Sequence, residues 1–291
     1  MELGLRVHRD RLGRGRAGQR RRELESLFAA QWTDGRVPHI VFNPRVPATR
    51  TSPAPTSGAP PTSPTARGRE TSGIVQPPVH APAAWELYRA APALGLPFLR
   101  RLYPLLCAQD DYLFTCRAAG NGLVTIVHPW ESGLDNSPAW DAELATVPVP
   151  QRQPAGHRRR DLDHVVADER PTGTDYARYV AIADAYRANG YRDALAAHPF
   201  VVVDPLFNTL LAAAEEALAR IAGTLGLPAE PHLERAAAVR DALLVHCYDP
   251  AAGHFRALDR HASRSRSARS PASPRSCSTC PPTSWTRWSR P

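Results

Sequence analysis

His128-Pro129-Trp130-Glu131-Ser132-Gly133-Leu134-Asp135-Asn136-Ser137-Pro138-Ala139-Trp140-Asp141 sits between long stretches with a helical pattern, and that placement decides the fold. Upstream, the spacing predicts a helix over 96–116 with Phe98, Leu102, Leu105 and Leu106 on one stripe. Downstream it predicts helices from Thr174 to Ala188, over 205–222 and over 230–247. The quoted stretch has neither pattern. It holds three carboxylates, two indoles, a histidine and an asparagine. Acids must stay solvated or paired and indoles favour burial, so such a mixture reads as a loop that carries chemistry. Helix after helix with a functional loop between them points to an all-α toroid or bundle, not a parallel α/β sheet.

Working outward, Thr174 reads as an N-cap, and Asn189-Gly190 closes that helix. Asp204 caps the next helix, and Gly223 ends it. A turn at Gly120-Asn121-Gly122 feeds the extended run Leu123-Val124-Thr125-Ile126-Val127. A helix over 81–90 precedes these. A short one from Arg22 to Gln31 puts Leu24, Leu27 and Phe28 on one face, and the turn Trp32–Arg36 and the extended Val37–Pro44 follow it. The domain spans 21–261, after a poorly patterned 1–20. Two segments break the pattern. Residues 45–69 are Pro, Ser, Thr and Ala with almost no apolar residues, and from Ala262 the chain loses every Leu, Ile, Val, Asp and Glu. Composition alone reads both as disordered.

The formal charge of +8 is carried by 36 arginines with no lysine at all, beside 30 prolines. That is the mark of GC-rich codons more than of a basic binding face, and nucleic acid is not expected as a partner. The five cysteines do not form a secreted disulfide framework. Cys277-Ser278-Thr279-Cys280 lacks the second pair or the βαβ setting that zinc or redox chemistry needs. No signal-peptide core and no membrane-length apolar run is read, so a cytoplasmic protein without a membrane partner is expected.

Carboxylates for proton transfer, flat aromatic faces for the apolar side of a pyranose and amides for hydroxyls are what a sugar-cleaving site needs together. Duller readings stand beside this one. Asp135 could cap the turn at Ser137-Pro138, and Glu131 could be a second catalytic carboxylate or a structural hydrogen-bond acceptor. Trp85 and Trp140 read as core. His80, His128 and His164 read as satisfied loop histidines. Asp161, Asp163 and His164 are weak evidence for a cation, and Arg158-Arg159-Arg160 reads as a solvated run. No metal and no organic cofactor is expected.

Three segments carry a resemblance: Gln31-Trp32-Thr33-Asp34-Gly35-Arg36-Val37-Pro38-His39, Thr71-Ser72-Gly73-Ile74-Val75-Gln76-Pro77-Pro78 and His128 through Asp141. Arg159–His164, His198-Pro199-Phe200 and Asp204-Pro205-Leu206-Phe207-Asn208 add weaker support. Together they resemble the mannosylglycerate/glucosylglycerate hydrolase-like glycoside hydrolases, relatives of the (α/α)6-toroid processing α-glucosidases. The resemblance implies an inverting α-glycosidase acting on a small glucosyl or mannosyl solute. It implies Asp135 as general acid, Trp130 and Gly133 lining the sugar site and Gln76 contacting substrate. Glu131 and Asn136 join this set as neighbours in the motif. Arg170 is the candidate for meeting a glycerate carboxylate. The family's catalytic base is a glutamate from a later part of the toroid, and no counterpart of it is found here. The expectation is therefore an incomplete toroid with little or no activity; the alternative is a non-catalytic sugar- or partner-binding fragment, or a pseudogene product.

Family members carry an aromatic YFPGP-x-FW segment where this chain has Arg50 to Ala59. Codons can be chosen for Arg50–Ala59 whose neighbouring frame reads YFPGPDFWG. Similar codons for Ser267–Ser289 give GAVAGLAPLVLDLPADVVDALV, an apolar, helix-compatible string. A local double frameshift near 50–69 and a terminal one near 262 account for both odd segments. Sequencing the DNA across codons 50–59 should reveal the aromatic segment in the neighbouring frame; any other codon usage there removes this reading.

Overall fold

A computed structural model describes residues 14–42, 45, 70–134, 136–149 and 170–259. The expectations placed on Asp135, on 46–69, on Arg158–His164 and on the tail from Ala262 fall outside the described residues. Among the described residues the architecture is all-α, with one two-residue hairpin. The helices are α1 (Arg14–Phe28), α2 (His80–Ala90), α3 (Gly95–Cys116), α4 (Asp141–Ala145), α5 (Gly173–Ala188), α6 (Pro205–Leu225) and α7 (Glu230–His246). Strands β1 (Tyr248–Asp249) and β2 (His254–Phe255) pair antiparallel.

Helix α6 is the spine. Its first half sends Phe207 and Leu211 into a cluster with Tyr112, Leu113, Val124, Ile126, Trp140, Tyr179 and Phe200. Its second half sends Leu218 and Ile221 into another, with Phe28 of α1, Leu87 of α2 and Phe98, Leu102 and Leu106 of α3. Helix α7 lies against α6 through Val239, Ala242 and Leu243. It is pinned by a buried polar set. His232 Nδ1 meets Glu215 Oε2 at 2.5 Å, Tyr103 Oη stands 2.9 Å from His232 Nε2, and Arg235 pairs with Glu215 at 3.2 Å and Asp111 at 2.7 Å.

The helix ends show where local chemistry overrides pattern. Asp204 caps α6 as expected, its carboxylate accepting from the Leu206 and Phe207 amides. The helix runs past Gly223 and stops at Gly226, because Leu225 still packs on the apolar cluster. The cap of α5 is Thr172, not Thr174. Its hydroxyl accepts from the Asp175 amide and donates to the Asp175 carboxylate, so two polar groups are satisfied by one turn. Helix α1 begins at Arg14, well before Arg22, in an arginine-rich run that is helix-compatible despite Gly15 and Gly18 and has no apolar period. Trp140 is buried in the core as expected, and Trp85 packs half-buried at the edge of the α1–α3 cluster.

Two loops lie beside this helical body. The segment 123–127 is held by α6: Asn208 accepts from the Val124 amide and donates to its carbonyl, and Ile126 exchanges both backbone bonds with Val202. The segment 71–76 runs against Tyr191, whose ring fills the space where a Gly73 side chain would stand. A Cβ on Gly73 would lie 2.2 Å from Tyr191 Cγ. Gly73→Ala should therefore lower stability by about 1–3 kcal/mol through overpacking. Gly173→Ala, where nothing lies within 4 Å, should stay within about 0.5 kcal/mol. Thermal and denaturant unfolding of the two variants compares them.

Candidate functional site

The Pro129–Ser132 turn presents the loop's chemistry. Pro129 fixes its first position, His128 caps it, and Gly133 leaves it in the left-handed region at φ 74°. The His128 ring is fully committed: Nδ1 accepts from the Trp130 amide at 3.0 Å and Nε2 donates to the Tyr179 carbonyl at 2.9 Å. This turn projects Trp130, which is only half-buried. Its indole is framed by His128 at 4.4 Å between centroids, His39 at 6.4 Å, Tyr176 at 6.4 Å and Tyr179 at 6.2 Å. His39 is steadied from behind by the Ser72 hydroxyl. An aromatic wall with one partly open indole can take the apolar face of a sugar ring.

Glu131 is wholly buried beneath that wall, and both of its oxygens are engaged. Arg117 meets it in a fork, Nη1 to Oε2 at 2.8 Å and Nη2 to Oε1 at 2.9 Å. The Val127 amide donates to Oε2 at 2.8 Å and the Val75 amide to Oε1 at 3.3 Å. Burial pushes its carboxyl upward, but Arg117 and the backbone donors outweigh that and hold it below the ordinary 4.5. Of the two sequence readings, this geometry matches the structural acceptor.

Behind Arg117 stands a second layer. Arg117 Nε donates to Asp193 Oδ1 at 2.8 Å, and Arg36 Nη2 pairs with Asp193 Oδ2 at 2.8 Å. Tyr112 and Tyr186 donate to the same carboxylate at 2.9 and 2.5 Å. Arg36 Nη1 also donates to the Gly73 carbonyl at 3.0 Å. Burial raises the Asp193 carboxyl, yet the two guanidiniums and the phenols bring it below 3.8.

The structure brings Trp130, Glu131 and Gly133 together with the loop that bears Gln76. Glu131 holds Val75, and Gly133 lies against the Pro77 ring, 3.4 Å from where its Cβ would be. Gln76 is half-buried between those two contacts. Asn136 is exposed on the following turn, where the Ser137 hydroxyl, accepting from the Ala139 amide, caps Pro138. Asp135 lies outside the described residues. Sequence reading missed Arg117, Asp193, Tyr112 and Tyr186. Tyr112 and Tyr186 lie inside helices, Arg117 directly follows one, and Asp193 follows a turn, and no motif or spacing rule marks any of the four. His80 accepts from Gln109 at 2.9 Å; no grouping of His, Cys, Asp and Glu that could hold a metal occurs among the described residues.

A profile of the mannosylglycerate hydrolase MGH1-like glycoside hydrolase domain matches residues 14–277. The chain belongs to this family. It is 42% identical to mannosylglycerate hydrolase MGH1 of Selaginella moellendorffii over 209 residues, 70% of this chain and 41% of that protein. It is 35% identical over 209 residues to the glucosylglycerate hydrolase of Mycolicibacterium hassiacum, 68% of this chain and 47% of that one. The GH63 mannosylglycerate hydrolase of Thermus thermophilus, solved with Tris, superposes with a TM-score of 0.72 at 35% identity, covering 84% of this chain and 57% of that one. The chain thus spans about half the length of the relatives it matches. Its fold is the all-α toroid type of these GH63 glycoside hydrolases, as the helix pattern and the resemblance led one to expect. No helix among the described residues is long and apolar enough to cross a membrane.

Burial holds four histidines of this region below their ordinary 6.5: His128 at about 3 and His39, His80 and His198 at about 4. Between those values and 6.5 the unfolded chain binds protons that the folded chain refuses. Stability is therefore full above about pH 6.5 and falls as pH drops towards 4, by up to about 1.4 kcal/mol per pH unit for each histidine. Glu131 and Asp193, with depressed values, lose their contribution only below their ordinary 4.5 and 3.8. The melting temperature should fall between pH 7 and 5, and less steeply in His128→Gln; equal slopes would remove His128 from this account.

Proposed function

We propose that the protein is a glycoside hydrolase acting on a small α-mannosyl or α-glucosyl solute such as mannosylglycerate or glucosylglycerate, with inversion. The observation that carries this reading is the half-open Trp130 indole, mounted on a fully paired Glu131, in a chain of this family. Family relatives are named for the two glycerate substrates, and the aromatic wall is suited to either sugar. In this reading Asp135 protonates the glycosidic oxygen as the bond breaks. Trp130 stacks on the ring, and Gln76, Gly133 and Asn136 line the hydroxyls. Glu131 serves from below by fixing the loop.

To act near neutral pH, Asp135 must keep its proton, which a desolvated setting beside an indole favours. Glu131 adds little to that effect, because Arg117 neutralises it. An inverting reaction also needs a carboxylate base about 6.5–9.5 Å from the acid, with one water between them. Arg36 and Arg117 are committed inside the protein and cannot meet a glycerate carboxylate. Arg170, just ahead of α5, is the arginine we assign to it.

The test is sugar release from α-mannosylglycerate and α-glucosylglycerate, with the first-formed anomer followed by NMR. Turnover yielding the β-anomer first, and a loss of about 10²–10⁴-fold in Asp135→Asn, are expected. Full activity in Asp135→Asn would end the assignment of the acid. Saturable sugar binding without turnover would favour the second reading, a sugar-binding module.

A further inference from the structure

We infer that Asp193, which lies outside every motif of the sequence, is the positioning residue for this site. Asp193 touches neither site loop directly. It reaches them by two routes. One runs through Arg117 to Glu131 and so to the Val75 and Val127 amides. The other runs through Arg36, whose Nη1 holds the Gly73 carbonyl. The loop carrying Gln76 is therefore gripped at Gly73 and at Val75, and the loop carrying Trp130 at Val127 and at Glu131. A single carboxylate sets the spacing of both grips.

The charges explain why one residue has this reach. Two guanidiniums, each almost wholly buried, face Glu131 and Asp193, with Asp34 3.5 Å from Arg36 at the rim. Tyr186 stitches the set together. It accepts from Arg36 at 2.9 Å and from Arg117 at 3.1 Å, and donates to Asp193. If the Asp193 charge is removed, Arg36 and Arg117 compete for Glu131 and Asp34, and the fork beneath Trp130 must open. Buried charged networks have few alternative arrangements, so the loops shift together. The inference rests on the proposed sugar site for its catalytic consequence and on the hydrogen bonds alone for its structural one.

The experiment keeps those two apart. Amide exchange at Val75 and Val127 is measured in the full chain, in Asp193→Asn and in Tyr186→Phe, which removes a hydroxyl but no charge. The control is a truncation of Ile221 in the α1–α3 cluster, to Val or Ala, chosen to match the loss in melting temperature. Exchange at both amides should rise about tenfold or more in the Asp193 variant, less in the Tyr186 variant, and not beyond the global change in the Ile221 variant. With α-mannosylglycerate, kcat should fall about 10²-fold in Asp193→Asn with a smaller change in KM, because misplacement harms the reacting geometry more than binding. The Ile221 variant should keep both constants. If Val75 and Val127 exchange no faster in Asp193→Asn than in the Ile221 control, the inference is overturned; if Asp193→Asn does not fold, Tyr186→Phe decides by the same comparison. If the parent chain turns over no glycoside, the proposed activity fails while the exchange result still judges Asp193.

Discussion

The Arg117–Glu131 fork is the constraint on which the rest depends. Both side chains are fully excluded from water. Desolvating two ions costs several kcal/mol each, and the fork offsets this only when the remaining donors and lone pairs are also met. That requirement dictates the surroundings. Glu131 needs the amides of Val75 and Val127, so two loops distant in sequence must meet at it. Arg117 has three donors left over; Nη2 also reaches Tyr186 and Nε needs an acceptor, which Asp193 supplies, and Asp193 brings Arg36, Tyr112 and Tyr186. The half-open indole of Trp130 rests on this fully paired set.

The helical body solves a similar problem once more, further along α6. Glu215 of that helix is buried and shared between His232 and Arg235 of α7, with Asp111 and Tyr103 of α3 closing the set. Here the paired charges hold helix to helix; under Trp130 they hold loop to loop. The two sets divide the labour between scaffold and site. Apolar packing along α6 supplies the bulk of cohesion, while the ionic groups fix which residue faces which.

Most of the helical body was readable in the sequence. The helices read over 81–90, 96–116 and 230–247 have observed limits that differ by a residue or so, the middle one marked by its stripe of Phe98, Leu102, Leu105 and Leu106. The misses have local causes. Thr172 and Thr174 are equally plausible caps on composition, and only the Asp175 bonds separate them. Gly223 is a stop signal overridden by the packing of Leu225. Of the candidate site, the loops that carry Trp130, Gly133 and Gln76 were legible because they stand in long motifs. Arg117 and Asp193 were not. Arg117 follows a helix and Asp193 follows the turn after another, and neither position has a period or a motif to mark it. Several of their partners stand 14 to 157 residues away, a distance at which pattern reading is blind.

Those separations bear on the order in which the chain can assemble. Arg36 finds Asp193 across 157 positions and Tyr186 across 150. During synthesis the first guanidinium must wait until well over half the chain has left the ribosome before its counter-charge exists. Closing so long a span is slow, and contacts of this kind form after local helices are in place. The nascent N-terminal segment, with Trp32 and Val37 meant for the interior, stays uncovered in the meantime. The locked site thus cannot set before Asp193 has been made, and a chaperone that shelters the early segment should raise the yield of folded protein.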